Sequence, residues 1–440
     1  MAFYILAVTA LLGLYMAWNI GANDVANSMA DAVGSKAISI KQAVILAGIC
    51  EFAGAVLVGS HVTNTIRKGI VSPKVIAALP GLMEGEAATI LVLGMTAALL
   101  AAALWLHVAT WAGMPVSTTH SIVGAVAGFG VVAAGWDCVN WGKMGQIVAS
   151  WFISPVAGGI MGYIFFNFIS MTILRKKKPA RAAMLITPFI VFVLAMVVTM
   201  ATVFKGLKHV TKGATWASDS NTLLLSLTIG VVSALAYAVL LRIRLKGKDT
   251  LPIGKQLELV ERGFAPLVVI SSCAVAFAHG SNDVANAVGP LAAVAHILHT
   301  GSVEMKVGVP LWILVLGGGG IVIGLATYGY KVMRTVGSDI TEITPSRGVA
   351  ADIAATSTVL ICTRMELPVS TTHTLVGAIL GIGMARGLSG INSGITGKIF
   401  SSWLITVPAA AVISVILFVT GRFFLFDFVR HLVLAAAAAG

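Results

Sequence analysis

The sequence predicts an all-α polytopic membrane protein with about 12 hydrophobic segments, arranged as two inverted-topology repeats with broken or re-entrant helices. Of its 440 residues, 58% are hydrophobic and only 10% are charged, whereas roughly a quarter of the residues of a soluble domain are charged. Residues 87–113 and 144–174 contain no Asp, Glu, Lys or Arg. Each of these runs exceeds the ~20 apolar residues that cross a bilayer as a helix. Two short strings occur twice along the chain, which indicates an internal duplication.

The hydrophobic segments begin at the first residues of the chain. Residues 1–20 lack a basic start and a small-residue cleavage site, so we expect them to remain as a first helix rather than to act as a signal peptide. The runs are also far longer than the ~10 alternating residues of a barrel strand. Some of the short, glycine-rich segments are expected to be re-entrant. In order, the segments are residues 2–20, 42–65, 87–113, 116–135, 144–174, 183–204, 220–241, 263–279, 307–330, 348–366, 369–385 and 399–426.

Basic residues gather in two short loops, residues 175–181 and 242–255, which are expected to face the cytoplasm. The net charge of +12 is therefore interpreted as a topology signal, and no nucleic-acid partner is expected. Five segments precede the first loop and five follow the second. This count places both termini outside the cell and makes the second repeat enter the membrane from the side opposite to the first. One loop, which contains Arg67, Lys68 and Lys74, lies outside the cell in this scheme and therefore disagrees with the rule that basic loops face the cytoplasm.

These counts divide the chain into four parts. Residues 1–174 form the first inverted repeat, and residues 256–430 form the second. Residues 175–255 contain the basic loops and two linking transmembrane helices, and the alanine-rich residues 435–440 look like an added tail. Close helix packing is expected at small residues spaced four apart. The pairs are Gly124/Gly128, Gly158/Gly162, Gly320/Gly324 and Gly377/Gly381.

The first repeated string reads GANDVAN at residues 21–27 and GSNDVAN at residues 280–286. Asn23 and Asn27 are four positions apart and Asp24 and Asn27 are three apart, so any helical portion places them on one face. The initial glycine would allow an unwound turn, whose carbonyls could join the carboxylate and amide oxygens in a cage for an alkali cation. Helix capping or hydrogen bonding between helices is the alternative, but an Asp costs at least ~2.5 kcal/mol at the bilayer centre, which favours function. The expected sodium ligands are Asn23, Asp24, Asn27, Asn282, Asp283 and Asn286.

The second string, PVSTTH, spans residues 115–120 and 368–373. The residue before a proline is disfavoured in a helix and proline suits the first helical position, so each copy is expected to begin a helix. Free N–H groups and the helix dipole at such an end attract anions, although ordinary capping by Ser and Thr is the alternative. Two such ends could hold one tetrahedral oxyanion between them. Its expected ligands are Ser117, Thr118, Thr119, Ser370, Thr371 and Thr372, together with Asn27 and Asn286.

Four further side chains in apolar surroundings are candidates for coupling or gating, namely Glu51, Asp352, His120 and His373. An offset of 270 between the halves aligns Gly54 with Gly324 and places Ile321 opposite Glu51, so the duplication does not repeat this acid. The acids could instead pair with a nearby His or Arg, and the histidines could only pack. The four cysteines are expected to pack as small side chains, without a disulfide or a zinc site. An intramembrane hydrolase is disfavoured because there is no G-x-S-x-G elbow and an enzyme needs no second copy of its nucleophile.

The doubled GANDVAN and PVSTTH strings, with residues 65–70 and 343–347, resemble the inorganic phosphate transporter (PiT) family over nearly the whole chain. Members import phosphate with Na⁺ or H⁺, and some relatives carry sulfate. The resemblance implies a multi-pass symporter of the plasma membrane, without a cofactor, that works as a homodimer and binds phosphate where the four strings meet. We therefore expect sodium-coupled import of inorganic phosphate by alternating access. The alternatives are a proton-coupled phosphate or sulfate transporter and an oxyanion channel.

Overall fold

The computed structural model describes residues 2–59, 70–71, 73–203, 219–302, 307–365, 369–387 and 391–439. Within these residues the chain is helical, and β-pairing is limited to one isolated bridge between Val71 and Val139. Arg67, Lys68, most of residues 65–70, Pro368 and residue 440 lie outside the described residues. The helices are α1 (Ala2–Ile20), α2 (Ala26–Gly34), α3 (Ile40–Val58), α4 (Pro73–Ala77), α5 (Glu86–Trp111), α6 (Thr118–Ala134), α7 (Trp141–Ile169), α8 (Pro179–Ala201), α9 (Asp219–Leu245), α10 (Ile253–Thr300), α11 (Leu311–Tyr328), α12 (Tyr330–Arg334), α13 (Pro345–Arg364), α14 (Thr371–Arg386) and α15 (Ser393–Ala439).

Each hydrophobic segment of the sequence coincides with a helix, but the count of 12 spans is not confirmed. Nine helical stretches within the described residues are long and apolar enough to cross a membrane. The segments without such a stretch correspond to α6, α13 and α14. With 17 and 16 residues, α6 and α14 extend only about 25 Å, less than the ~30 Å hydrocarbon core of a bilayer. These are the two short segments that follow the PVSTTH strings.

The first repeated string does not unwind the chain, contrary to the expected broken turn. A π-helical turn, Gly21–Val25, joins α1 to α2 in one continuous helical path, and the residues that flank it are helical as well. The second copy lies within α10, a continuous α-helix of 48 residues. A π-helical turn closes i→i+5 hydrogen bonds, so the chain stays helical through it. Neither copy of the string is therefore unwound in the way that the cage hypothesis requires.

The packing of the helices follows the duplication seen in the sequence. A Cβ atom on Gly21 would collide with the backbone of Ile321 in α11, and one on Gly280 would collide with the backbone of Glu51 in α3. Ile321 and Glu51 are the residues that the offset of 270 pairs with each other. Gly124 of α6 likewise meets the backbone of Val407 in α15, and Gly377 of α14, its equivalent at the offset of 253, meets the backbone of Pro155 in α7. Each of these glycines thus packs on a helix from the opposite half, and the two halves are interlocked.

The glycine pairs predicted from small-residue spacing do mark close approaches of helices. Gly124 and Gly128 of α6 face the backbone of α15, whereas Gly377 and Gly381 of α14 face the backbone of α7. At the same crossing, Gly158 and Gly162 of α7 face the backbone of α14. Gly320 and Gly324 of α11 face α1. These crossings fix the positions at which α6 and α14 begin.

The two basic loops lie at the same end of the helix pair α8–α9. Lys178 Nζ is 3.3 Å from Asp249 Oδ2. Gln256 accepts a hydrogen bond from the Ala180 N–H at 3.2 Å and donates to Leu251 O at 2.7 Å. These contacts agree with the expectation that both loops share one face of the protein.

All four cysteines carry thiols rather than disulfides. Cys138 and Cys362 are buried, whereas Cys50 and Cys273 are half-buried.

Candidate functional site

The carboxylate of Asp24, in the π-helical turn, is bound by both hydroxyl-bearing helices. Its Oδ2 accepts hydrogen bonds from Thr118 Oγ1 at 2.6 Å and from the Thr118 N–H at 3.3 Å. Its Oδ1 accepts a hydrogen bond from Thr372 Oγ1 at 2.7 Å. Asp24 is only 4% exposed. Because Thr118 begins α6 and Thr372 lies in the first turn of α14, one buried acid joins the two PVSTTH strings.

The last amide of each first string makes an equivalent contact. Asn27 Nδ2 donates to Thr372 Oγ1 at 3.2 Å, and Asn286 Nδ2 donates to Thr119 Oγ1 at 3.1 Å and to Thr118 Oγ1 at 3.2 Å. Asn27 and Asn286 are 259 residues apart (286 − 27), and Thr119 and Thr372 are 253 apart (372 − 119), the offsets of the two duplicated strings. The first string of one half therefore binds the hydroxyl segment of the other half.

The other amides have different surroundings in the two copies. Asn23 donates to Thr110 Oγ1 at 2.9 Å and to Met114 O at 3.0 Å, and it accepts a hydrogen bond from the Val116 N–H at 3.0 Å. It therefore fixes the segment that leads into α6. Asn282 donates to Ala278 O, one turn earlier in its own helix, at 2.7 Å.

The two hydroxyl segments begin helices, as the sequence predicts, but serine rather than proline occupies the helix boundary. Ser117 and Ser370 are the N-caps of α6 and α14, and their Oγ atoms accept hydrogen bonds from the N–H groups of His120 and His373 at 3.3 Å. Pro115 lies two residues before its N-cap, so the prediction of proline at the first helical position is wrong. A serine hydroxyl can cap a helix, and proline cannot.

A cavity of about 70 Å³ lies beside Asp24 and is lined from both halves of the chain. The residues of the repeated strings at its wall are Asp24, Asn27, Asn282, Asp283, Thr371 and Thr372, and His279 and Asp352 join them. The other candidate ligands, which are Asn23, Ser117, Thr118, Thr119, Ser370 and Asn286, lie outside this lining. Acids, amides and hydroxyls thus share one small space, and no Lys or Arg belongs to its lining within the described residues.

His279 is a site residue that the sequence reasoning missed. Its Nε2 is 2.8 Å from Asp283 Oδ2 and 3.8 Å from Asp24 Oδ2, and its Nδ1 is 3.0 Å from Glu51 Oε1. His279 directly precedes the second GSNDVAN string, where the first half has Ile20 at the offset of 259. The sequence did contain a signal for this residue, because a histidine in the second half replaces an isoleucine of the first half directly before the repeated string.

Asp24, His279 and Asp283 could together hold a cation. Their ligand atoms lie within 4.8 Å of one another. Two carboxylates and an imidazole are surrounded here by buried helices, so a positive ion would meet little competition from water. The structure thus brings the two predicted acids to a common point.

The two other candidate acids lie on either side of this point. Glu51 in α3 is fully buried and contacts His279. Asp352 in α13 is 2% exposed, accepts a hydrogen bond from Ser271 and lines the cavity. The expectation that a nearby histidine could pair with Glu51 is met by His279.

His120 and His373 meet each other rather than the cavity. Their ring centroids are 5.0 Å apart in an edge-to-face arrangement, and His373 stacks on Trp403 at 3.8 Å. Trp403 Nε1 in turn donates to Pro115 O at 2.9 Å. The two histidines therefore belong to the packing that holds the starts of α6 and α14 together.

Comparison with known proteins agrees with this architecture. Residues 20–414 match the family model described as the phosphate transporter family. A protein of Thermococcus kodakarensis named as a putative phosphate permease is 47% identical over 413 residues, covering 94% of this chain and 97% of that protein. The chloroplastic inorganic phosphate transporter 2-1 of Arabidopsis thaliana is 40% identical over 434 residues, covering 93% of this chain and 70% of the plant protein. A protein of solved structure, described as the sodium-dependent phosphate transporter, is 40% identical; the match covers 96% of this chain and 100% of that one, with a TM-score of 0.82.

Proposed function

Because this chain belongs to the phosphate transporter family, we propose that it is a symporter that imports inorganic phosphate together with sodium ions by alternating access. The observation that carries the proposal is the binding of Asp24 by Thr118 of one hydroxyl helix and Thr372 of the other. An acid suited to a cation and hydroxyls suited to an oxyanion are thereby placed at a single point between the two halves.

The proposed division of labour follows from chemistry. Sodium is bound at Asp24 with Asn23 and Asn27, and at Asp283 with Asn282 and Asn286. Phosphate is bound by the starts of α6 and α14, where the helix dipoles and hydroxyls offer donors. The proposed hydroxyl ligands are Ser117, Thr118, Thr119, Ser370, Thr371 and Thr372. Without a Lys or Arg in the cavity lining of the described residues, the positive charge that balances phosphate comes from the bound cations.

Coupling is then a matter of electrostatics. Two bare carboxylates, at Asp24 and Asp283, repel an oxyanion, and sodium binding removes that repulsion. Since binding energies are reciprocal, phosphate raises the affinity for sodium by the same factor. The similarity to a solved transporter that is described as sodium-dependent supports sodium as the coupling ion.

The proposed arrangement in the membrane keeps the divisions drawn from the sequence. Residues 1–174 and 256–430 form two inverted repeats, and residues 175–255 link them through the cytoplasm. The protein is a multi-pass homodimer of the plasma membrane with both termini outside. Alternating access moves the helices that carry the repeated strings against the remaining helices.

The proposal is tested by phosphate uptake into proteoliposomes with and without an inward sodium gradient. Asp24→Asn and Asp283→Asn are expected to abolish the sodium-stimulated part of uptake. Asp137→Asn, an exposed acid in the short turn Trp136–Cys138, is the matched control and should transport like the wild type. Sodium-stimulated uptake at the wild-type rate in both Asp24→Asn and Asp283→Asn would overturn the cation assignment.

Proton coupling is the second candidate, and the contact of His279 with Glu51 and Asp283 favours it, because imidazole and carboxylates can exchange protons. Uptake driven by a pH gradient without sodium would select this mechanism. Parallel measurements with labelled sulfate separate the two oxyanions. A channel would instead pass phosphate down its own gradient, with no response to sodium or pH gradients.

A further inference from the structure

Trp151 of α7 and Trp403 of α15 occupy equivalent positions in the two halves of the chain. Pro155 and Val407 are equivalent because they meet the equivalent glycines of α14 and α6, and they are 252 residues apart (407 − 155). Trp151 and Trp403 are also 252 residues apart (403 − 151), and each lies one turn before its partner in that pair. The duplication therefore repeats this tryptophan, although it lies outside the repeated strings.

Trp403 binds the starts of both hydroxyl helices. Its ring stacks on His373, in the first turn of α14, with centroids 3.8 Å apart and planes at 18°. Its Nε1 donates to the carbonyl oxygen of Pro115, just before α6, at 2.9 Å. Trp403 and His373 are both buried. One side chain of α15 thus holds the starts of α6 and α14 in a fixed relation.

Trp151 does not make the equivalent contacts. The histidine that corresponds to His373 is His120, in the first turn of α6. The rings of Trp151 and His120 are tilted by 49°, and their centroids are 5.8 Å apart, which is 2.0 Å farther than in the other half (5.8 − 3.8). Trp151 is only half-buried, and its Nε1 has no hydrogen-bond acceptor among the described residues. The two equivalent tryptophans are therefore engaged to different degrees.

The four rings form one continuous row. His120 and His373 meet edge to face between the tryptophans, with centroids 5.0 Å apart. Because a close-packed interior transmits displacements, a movement of one histidine is felt by the other. The repeated strings differ between the halves as well, since the first contains a π-helical turn and the second is α-helical throughout. The two halves thus hold equivalent residues in two different arrangements.

Two inverted halves that differ in this way can exchange their arrangements, and the exchange turns a protein that is open to one side of the membrane into one that is open to the other. We propose that Trp151 and Trp403 are positioning residues that bind the starts of the hydroxyl helices in alternation. Trp403 stacks on His373 in the arrangement of this structure, and Trp151 stacks on His120 in the opposite one. The inference rests on the alternating access of the proposed function, but on neither the coupling ion nor the substrate.

The contacts predict a direction for each tryptophan. A stacked aromatic pair favours the arrangement that contains it by about 2- to 12-fold. Loss of the Trp403 ring therefore shifts the population toward the opposite arrangement, and loss of the Trp151 ring shifts it toward the arrangement of this structure. Tryptophans that served only as packing would lower the stability in both variants without opposite shifts.

The test is the reactivity of one cysteine in the cavity toward a membrane-impermeant maleimide. The reporter is Ala355→Cys in α13, at the cavity wall, in the full-length chain with its four native cysteines replaced by alanine. Modification rates are measured from each face in membrane vesicles of known orientation. Trp403→Ala and Trp151→Ala should change the rate from a given face in opposite directions, by about twofold or more. Trp312→Ala, which removes an exposed tryptophan of α11, is the control and should leave the rate unchanged.

Two further variants separate a shifted population from misfolding. The double variant Trp151→Ala/Trp403→Ala should return the rate to near that of the reporter alone, because the two shifts oppose each other. Trp151→Phe keeps a ring that can stack, so it should change the rate less than Trp151→Ala does. Rates that change in the same direction in both single variants, or in neither, would overturn the proposal.

The assay contains neither phosphate nor sodium, so the failure of either assignment would leave these outcomes unchanged. Equal modification of the reporter from both faces, in the chain that keeps both tryptophans, would instead refute alternating access and this inference with it.

Discussion

A single methyl group at Gly21 should disable the proposed site without touching any polar side chain. Gly21 begins the π-helical turn that carries Asp24, and it packs directly on the backbone of α11. A Cβ atom built at Gly21 lies 2.7 Å from the carbonyl carbon of Ile321 and 2.9 Å from its Cα. Because both neighbours are backbone atoms, no side chain can rotate away from the new methyl group.

The size of the disturbance follows from these distances. Carbon atoms pack at about 3.5 Å or more, so the turn and α11 must move apart by at least about 0.8 Å. A shift of that size would stretch the hydrogen bonds of Asn23, now 2.9 to 3.0 Å, to about 3.8 Å, beyond hydrogen-bonding distance. Overpacking of this kind costs about 1 to 3 kcal/mol. If that cost falls on the transport-competent arrangement, Gly21→Ala lowers the rate of phosphate uptake about fivefold to 150-fold.

The assay is the initial rate of labelled phosphate uptake into proteoliposomes, at equal amounts of inserted protein. Gly319→Ala in α11 is the matched control, because a Cβ atom there has no heavy atom within 4 Å. Gly324→Ala, which would strike the backbone of Trp18 at the same crossing, should repeat the loss. Uptake of Gly21→Ala within twofold of Gly319→Ala would refute the reasoning that this crossing holds the site in place.

Three further outcomes are expected. Asn27→Ala and Asn286→Ala should each weaken the apparent affinity for phosphate in uptake assays about fivefold, which corresponds to the loss of roughly 1 kcal/mol of hydrogen bonding. The two factors should be similar because Asn27 and Asn286 make equivalent contacts in the two halves. A tenfold difference in apparent phosphate affinity between the two variants would contradict that equivalence. His279→Leu should lower the thermal denaturation midpoint of the purified protein more than Glu51→Gln does. Removing the imidazole takes away the partner of buried acids, which costs about 3 to 5 kcal/mol, whereas the amide of Glu51→Gln can still form a hydrogen bond with His279. Equal midpoints for the two variants would contradict this stabilising role of His279. Trp403→Phe retains an aromatic ring but leaves the buried carbonyl of Pro115 without its hydrogen-bond donor, so the same thermal assay should report a destabilisation of about 1 to 3 kcal/mol. An unchanged midpoint would count against the contribution of that hydrogen bond.

Much of the architecture could be predicted from the sequence because it depends on local patterns. Apolar runs marked the long helices, and the duplicated strings marked the two halves. Glycine spacing marked the close crossings, and the Ser–Thr–Thr trios marked the starts of α6 and α14. The count of spans could not be settled in this way, because an apolar segment of 16 or 17 residues, such as α14 or α6, can begin inside the protein as readily as at its surface.

What the sequence left out depends on contacts between distant residues. Gly21 suggested an unwound turn, but residues 21–25 form a π-helical turn that packs on the backbone of Ile321. His279 lies outside the exact repeat, so a search for repeated letters passes over it. Asp31 is an ordinary polar residue near a helix end in the sequence, and only the fold brings Ser272 of α10 within hydrogen-bonding distance of it. No spacing rule gives a pair 241 residues apart (272 − 31).

The interlocked crossing of α1 and α11 also constrains how the chain can be made. Gly21 packs on Ile321, so 300 residues (321 − 21) must be synthesised before this surface finds its partner. At about 5 to 20 residues per second, translation of that stretch takes roughly 15 to 60 s. For that time the first half carries Asp24 and its amides in a membrane without the helices that later enclose them. The nascent chain must therefore hold its most polar residues near water, or beside the insertion machinery, until the second half arrives.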